Sequence, residues 1–201
     1  METKNQTSEK ILVILLKEPF ATHTVTSLAN ALDITRQGLW KTLNKLLVNK
    51  MIDIHQIGKT KKSAITISLN WSNPLTEKTL ALLLTREALK QERWRLNFAE
   101  LEKHVSFLSL FGSILHSPKE ANDIDILAVV EDKRKFGEID KIVLKIQLAQ
   151  TKKIHLIDLK KTEFANELKG QNKAYLEALK KGTVLYGQEN FVQFIKKIQA
   201  I

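Results

Sequence analysis

Hydrophobic residues recur at helical spacing over the first third of the chain and then alternate with polar residues in two short segments. The helical spacing predicts three helices, and the alternation predicts two strands joined by a lysine-rich loop. The predicted helices cover 8–18, 25–32 and 35–49, and the predicted strands cover 52–57 and 64–69. Pro19 ends the first helix, Thr24 caps the second, and Asp33 with Ile34 forms the turn before the third. Residues 1–70 are therefore expected to form one small domain.

The rest of the chain contains both kinds of segment: those with hydrophobic residues at helical spacing and those in which hydrophobic and polar residues alternate. Between Leu75 and about Glu102 there is no glycine or proline, which predicts one long helix: a spacer packed on both domains or, alternatively, a homodimer interface. The later pattern predicts strands over 105–111, 123–130, 154–159 and 184–186, with helices over 136–151, 162–169, 172–181 and from 190 onward. This order predicts an α+β fold with domains at 1–70 and 105–201 and a connector helix at 71–104.

The amino-acid composition indicates a kind of partner and excludes several kinds of site. The net charge of +10 favours a polyanionic partner such as nucleic acid or a nucleotide. The absence of cysteine excludes disulfides, thiolate zinc sites and a cysteine nucleophile. The N-terminus is polar and shows no signal-peptide pattern, and the longest apolar stretch, Ile11 to Leu16, is too short to cross a membrane. We expect a cytoplasmic protein without a membrane partner.

A glycine–serine pair and an Asp-x-Asp segment stand close together near the middle of the chain. Nine residues separate Gly112-Ser113 from Asp123-Ile124-Asp125, and an apolar strand flanks each motif. Glycine lets the backbone approach a phosphate, while the serine hydroxyl and nearby N–H groups can donate hydrogen bonds to its oxygens. Side chains alternate along a strand, so the two aspartates face one way and Ile124 faces the core. The combination predicts a site for magnesium and a nucleoside triphosphate.

These motifs resemble the nucleotidyltransferase superfamily of DNA polymerase beta, in particular its small prokaryotic members. The segment 178–187, Ala-Leu-Lys-Lys-Gly-Thr-Val-Leu-Tyr-Gly, resembles the end of such proteins. The resemblance implies a mixed sheet with helices and a bound nucleoside triphosphate with Mg²⁺ or Mn²⁺. It implies that Asp123 and Asp125 bind the metal and act in catalysis, while Gly112 and Ser113 hold the phosphates. The implied reaction is transfer of a nucleoside monophosphate to a hydroxyl group.

The sequence departs from this family at two places. The third family carboxylate lies on the strand after Asp-x-Asp, where this chain has His155, interpreted either as a catalytic base or ligand or as a strand residue without a catalytic role. Asp158 is three residues farther, on the opposite face of a regular strand, and would replace it only if the strand bulged. After Gly-Ser, many members have a basic residue and a glycine; here His116 and Lys119 are the candidates for phosphate binding.

Residues 1–70 resemble the winged helix-turn-helix domains of prokaryotic transcription regulators. On this resemblance the third helix is the recognition helix, and the loop between the strands is the wing. Base edges would be contacted by Arg36, Gln37 and Asn44, and phosphates by Lys41, Lys45, Lys59, Lys61 and Lys62. Trp40 lies on the same helix and is interpreted either as a DNA contact or as a core residue. The alternatives are a solvated helix face and a protein-docking module.

The two resemblances together predict a double-stranded-DNA-binding protein that carries a nucleotidyltransferase domain. The nucleotide would bind with Mg²⁺ or Mn²⁺, and the acceptor would be a protein or small-molecule hydroxyl. One alternative is a transcription regulator that senses nucleotide without catalysis, because His155 replaces a carboxylate. Another is the antitoxin of a toxin–antitoxin pair, because small members of the family often act with a partner toxin.

Overall fold

The computed structural model describes residues 4–57 and 64–199 and has an α+β fold. The chain divides into two compact units, one ending at Leu83 and the other starting at Leu84. Each has its own hydrophobic core. The predicted wing lysines Lys59, Lys61 and Lys62 lie outside the described residues.

The first unit contains three helices followed by a two-stranded antiparallel hairpin. Its elements are α1 (Lys4–Lys17), α2 (Val25–Ala31), α3 (Arg36–Val48), β1 (Ile52–Ile57) and β2 (Ala64–Leu69). The predicted strands are confirmed at both ends, and each predicted helix is confirmed to within a few residues. The core consists of apolar side chains spaced three and four residues apart on the helices, including Ile11, Leu15, Leu28, Leu39, Leu43 and Leu46.

Short side chains fix where the helices of the first unit begin. Thr24 and Ser27 form a reciprocal capping box at the start of α2, with N–H···O distances of 2.8 and 3.1 Å. Thr35 accepts a hydrogen bond from the Gly38 N–H at 3.1 Å and caps α3. Asp33, with φ of 51°, makes the tight turn between the two helices. The turn therefore sets the angle at which α3 leaves α2.

The second unit is built around a four-stranded mixed sheet in the order β5-β4-β3-β6. The strands are β3 (Phe107–Phe111), β4 (Asp123–Val130), β5 (Lys153–Lys160) and β6 (Thr183–Tyr186). The helices are α4 (Pro74–Leu89, which begins in the first unit), α5 (Glu92–Asn97), α6 (Phe136–Gln147), α7 (Lys161–Lys169), α8 (Lys173–Lys181) and α9 (Gln188–Gln199). The pair β4–β5 is parallel and the other two pairs are antiparallel.

The two faces of this sheet bury different side chains. One face carries Ile124, Ile126 and Ile154 and packs against Trp94, Phe98 and residues of α6. On the other face Phe107 contacts a group of rings from α7 and α9, namely Phe164, Phe191 and Phe194. Alternation along β4 places Asp123 and Asp125 on this second face, because Ile124 and Ile126 occupy the first.

The prediction of one long helix from Leu75 to Glu102 is wrong. The structure has α4, α5 and a 3-10 turn over 99–101, separated by short breaks. Helix α4 ends where Lys90 and Gln91 donate to carbonyls three residues earlier instead of four. Trp94, Phe98 and Leu101 are then buried in the core of the second unit, so packing against the sheet outweighs the helix propensity of the sequence.

Helix α4 leaves a row of leucines in solvent. Leu75, Leu82 and Leu89 are 55%, 51% and 56% exposed and recur every seven residues, which places them on one side of the helix. The homodimer interface proposed for this segment stays a prediction. None of the helices in residues 4–57 and 64–199 has the length and apolar character needed to span a bilayer.

Candidate metal centre and candidate nucleic-acid surface

Three potential metal ligands meet where β4 and β5 begin. The parallel register pairs Asp125 with His155, and Asp123 lies two residues earlier on the same face of β4. Each side chain offers one ligand atom, and these atoms lie within 4.8 Å of one another. We call Asp123, Asp125 and His155 the Asp–Asp–His cluster.

The histidine ring lies against both carboxylates. His155 Nδ1 is 3.2 Å from Asp123 Oδ2 and 3.4 Å from Asp125 Oδ1. The His155 side chain is 44% exposed, whereas that of Asp125 is only 23% exposed. The cluster is therefore open to solvent on the histidine side, where a ligand would enter.

Gly112 makes room for the Asp125 carboxylate. Its backbone, with φ of 82° and ψ of −166°, lies in a region that is essentially restricted to glycine. A Cβ atom built on Gly112 would overlap Asp125 Oδ2. The register explains the proximity, because Phe111, the last residue of β3, pairs with Asp125. The Gly-Ser motif and the Asp-x-Asp motif are thus in direct contact.

The two carboxylates of the cluster repel each other. Partial burial raises the pKa of the Asp125 carboxyl, and the nearby charge of Asp123 raises that pKa further. The charge and hydrogen bond of His155 oppose this rise. A divalent cation would relieve the repulsion between the two carboxylates, because it offsets both charges at once.

The chemistry of the donor set fits a divalent cation. Two carboxylates supply hard oxygen ligands of the kind that Mg²⁺ and Mn²⁺ prefer. The imidazole nitrogen suits transition-metal ions better than Mg²⁺. Asp123, Asp125 and His155 would hold such an ion, and the remaining positions would be open to solvent or to a ligand.

Asp158 does not join the cluster. The β4–β5 register runs without a shift from Asp123 with Lys153 to Val130 with Lys160, so the strand has no bulge that could turn Asp158 around. Burial raises the pKa of Asp158, and among nearby charges Asp140 and Glu163 raise it further. This aspartate therefore faces a different environment from the one His155 faces.

Lys153 was missed by reasoning from the sequence. It pairs with Asp123 across the parallel strands and, by alternation, lies on the same face as His155. Its side chain is exposed. The signal that would have found it is the strand period, because the predicted strand began one residue too late, at Ile154. Lys153 therefore carries a positive charge on the face of the sheet that bears the two carboxylates.

The residues after Gly112 form a short 3-10 turn over 113–115 that leads into a loop before β4. The Ser113 carbonyl accepts hydrogen bonds from the N–H groups of His116 and Ser117, at 3.0 and 2.8 Å. Ser113, His116 and Lys119 are all exposed. Ser113 directly follows the glycine that touches Asp125, whereas His116 and Lys119 lie farther along the loop and outside the Asp–Asp–His cluster. Their predicted phosphate contacts stay predictions.

Three hydrogen bonds outside the cluster hold the starts of β4 and β5 in place. Lys152 Nζ donates to the carbonyl of Ala121, which is buried just before Asp123. Gln147, at the end of α6, accepts from the Ile154 N–H at 2.7 Å and donates to the Lys152 carbonyl at 3.0 Å. Because β5 is an edge strand, these side-chain contacts stabilise an end that has only one neighbouring strand.

The first unit presents a polar face on α3. Leu39, Thr42, Leu43 and Leu46 are buried and hold the opposite side of the helix against the core. The side chains that were predicted to contact base edges and phosphates from α3 are exposed, namely Arg36, Gln37, Lys41, Asn44 and Lys45. Trp40 is partly exposed, so its burial does not distinguish the predicted DNA contact from the predicted core residue. Each described residue of the predicted recognition surface is thus accessible to a ligand.

Comparison with known protein families, with curated proteins and with solved structures finds no match to this chain.

Replacing Gly112 with alanine tests its contact with Asp125. We expect Gly112→Ala to lower the free energy of unfolding by about 1–3 kcal/mol, because the side chain adds backbone strain and overlaps the carboxylate. The measurement is urea denaturation followed by circular dichroism. Gly137→Ala is the matched control, since a Cβ on Gly137 meets nothing within 4 Å. Equal stability of the two variants would contradict the close contact between Gly112 and the Asp125 carboxylate.

Proposed function

We propose that this chain is a DNA-binding protein whose second unit is a nucleotidyltransferase-type domain. The domain binds a nucleoside triphosphate with Mg²⁺ or Mn²⁺ and transfers a nucleoside monophosphate to a hydroxyl on a protein or small molecule. The observation that carries the proposal is the convergence of Asp123, Asp125 and His155 beside the Gly112-Ser113 turn. Either motif alone is common in proteins. Their direct contact favours a role for both motifs in one binding site.

The residues of the second unit divide into two roles in this proposal. Asp123, Asp125 and His155 hold the cation, which when bound offsets the negative charge of the triphosphate and of the leaving pyrophosphate. Lys153 and the N–H groups around Ser113 bind phosphate oxygens. In the reaction the acceptor oxygen forms a bond to the α-phosphorus, the bond from that phosphorus to the pyrophosphate oxygen breaks and releases pyrophosphate, and the acceptor hydroxyl gives its proton to solvent water.

His155 supports a second candidate function, a regulator that binds nucleotide without transferring it. Its imidazole occupies the position at which the resemblance implies a third carboxylate, and the pairing with Asp125 supports that alignment. A site with two carboxylates can still bind a cation. It lacks the third carboxylate, which would act on the acceptor hydroxyl. The first candidate predicts transfer of the nucleotide, and the second predicts binding that changes DNA affinity.

One experiment separates these candidates. Metal-free protein is incubated with α-labelled ATP, CTP, GTP or UTP and Mg²⁺ or Mn²⁺, with cell lysate as the source of acceptors. We expect Asp123→Asn/Asp125→Asn to weaken cation-dependent nucleotide binding by about 100-fold or more, because ligand charge sets affinity for a hard cation. Asp158→Asn is the control, since it removes a carboxylate from β5 outside the cluster.

The outcomes assign the function. Label transferred by the wild type and by Asp158→Asn, but not by the double variant, supports the transferase. Nucleotide binding without transfer supports the regulator. Binding of the same strength in the wild type and the double variant would contradict both candidates.

DNA binding rests on the exposed face of α3 and on the order of elements in the first unit. Helix α2, the tight turn at Asp33 and α3 are followed by a hairpin, as expected for a winged helix-turn-helix. A backbone hydrogen bond from the Ile67 N–H to the His23 carbonyl, at 2.8 Å, ties β2 to the segment before α2. The hairpin therefore packs beside the helices, and the cations of α3 remain available for phosphates.

Replacing two lysines on α3 tests this part of the proposal. Lys41→Ala/Lys45→Ala is expected to weaken binding of a labelled mixed-sequence duplex and to lower the slope of log K against log salt by about 2, because each phosphate contact contributes about 0.9. Fluorescence anisotropy over a salt series measures both quantities. The control Lys10→Ala/Lys78→Ala removes the same charge from α1 and α4, and an equal loss in the control would overturn the assignment of α3.

A further inference from the structure

A groove between α7 and α9 lies at the other end of the sheet from the Asp–Asp–His cluster. Its cavity of about 300 Å³ is of the size that small-molecule sites occupy. Ala165, Phe194 and Ile198 line it with apolar surface. Phe194 and Ile198 are only 5% and 6% exposed, so this lining is fixed by the core beneath it.

Lysines surround the apolar lining. Lys161, Lys169 and Lys197 border the groove, and Glu131 is the one carboxylate among its lining residues in the described part of the chain. Lys161 forms an ion pair with Glu131, which also accepts a hydrogen bond from Ser106 Oγ at 3.4 Å. The hydrogen bond from Lys161 lowers the pKa of Glu131, whereas partial burial raises it, and the charges of Lys161 and then Lys197 lower it further.

Within the described part of the chain, Lys169 and Lys197 are not matched by a carboxylate as Lys161 is, although the charge of Lys197 acts on Glu131 at longer range. Lys169 ends α7 and Lys197 lies near the end of α9, and neither forms a salt bridge with any carboxylate in residues 4–57 and 64–199. With Lys161 matched by Glu131, the groove has an excess of two positive charges. Positive charge next to a fixed apolar surface suits a ligand that has both an anionic group and an apolar part.

We propose that this groove binds a small organic anion, with its apolar body on Ala165, Phe194 and Ile198 and its phosphate or carboxylate group between Lys169 and Lys197. The ammonium groups act as mobile point charges, which accommodate either kind of anionic group. The apolar lining favours an organic molecule over an inorganic ion, because burial of its body removes apolar surface from water.

The groove is separate from the proposed nucleotide site. Glu131 follows the end of β4, six residues after Asp125, which corresponds to about 20 Å along an extended strand. Neither site shares a lining residue with the other. The inference therefore does not depend on the proposed function, and its test uses the full chain without nucleotide or metal.

The test uses 8-anilinonaphthalene-1-sulfonate, a fluorescent probe with an aromatic body and one anionic group. We expect one saturable site per chain in the wild type. Lys169→Gln/Lys197→Gln should weaken the probe by about tenfold, because two charge-assisted contacts are lost. The control Lys141→Gln/Lys173→Gln removes the same charge from α6 and α8 and should leave binding unchanged.

A further variant and two competing ligands test the apolar lining and the anionic group separately. Ala165→Leu fills the groove without changing its charge and should also reduce probe binding, with circular dichroism reporting that the variant is folded. Phenyl phosphate and phenylacetate should each displace the probe, and the one that acts at lower concentration identifies the preferred anionic group. Probe binding that is equal in the wild type and Lys169→Gln/Lys197→Gln would overturn the proposal, as would the absence of displacement by both competitors.

Discussion

The parallel pairing of β4 with β5 is the constraint on which the second unit depends. It sets Asp125 beside His155 and Asp123 beside Lys153, and no local segment of the sequence could bring these four residues together. The pairing in turn depends on Ile124, Ile126 and Ile154, which are buried on the opposite face and prevent a shift by one residue. A one-residue slip would turn the aspartates toward the core and the isoleucines toward solvent.

Packing of the isoleucines on one face of the sheet therefore determines which polar side chains meet on the other face. Gly112 completes the arrangement, because only a residue without a side chain allows β3 to end against the Asp125 carboxylate. Burial of that carboxylate and its repulsion by Asp123 both raise the pKa of Asp125. Because both effects disfavour the charged form of Asp125, a bound cation would offset them.

Much of the fold follows from the hydrophobic pattern alone. The bounds of β4 match their prediction, because polar and apolar residues alternate from Asp123 to Ile126 and residues 126–130 are continuously apolar. The orientation of the two aspartates also followed from strand alternation. The break between α4 and α5 could not be predicted in this way, since it has no glycine or proline and results from burial of Trp94 and Phe98.

The candidate site was predictable in part for similar reasons. Asp123 and Asp125 belong to a local motif, but the placement of His155 needed an alignment to the strand pattern of the family that these motifs resemble. The placement of Lys153 needed the true start of β5. The groove between α7 and α9 was not predicted at all. Its residues come from two helices and the end of a strand, so only the tertiary structure brings Lys169 and Lys197 to one cavity.

The proposed function of the second unit depends on the binding of one divalent cation by Asp123, Asp125 and His155. Pulsed electron paramagnetic resonance of the Mn²⁺-loaded protein tests it most directly, because an imidazole ligand gives a ¹⁴N coupling to the metal. We predict this coupling in the wild type and in His116→Gln, and its loss in His155→Gln. Bound Mn²⁺ without nitrogen coupling, or a coupling that persists in His155→Gln, would contradict the assignment of His155 as a metal ligand.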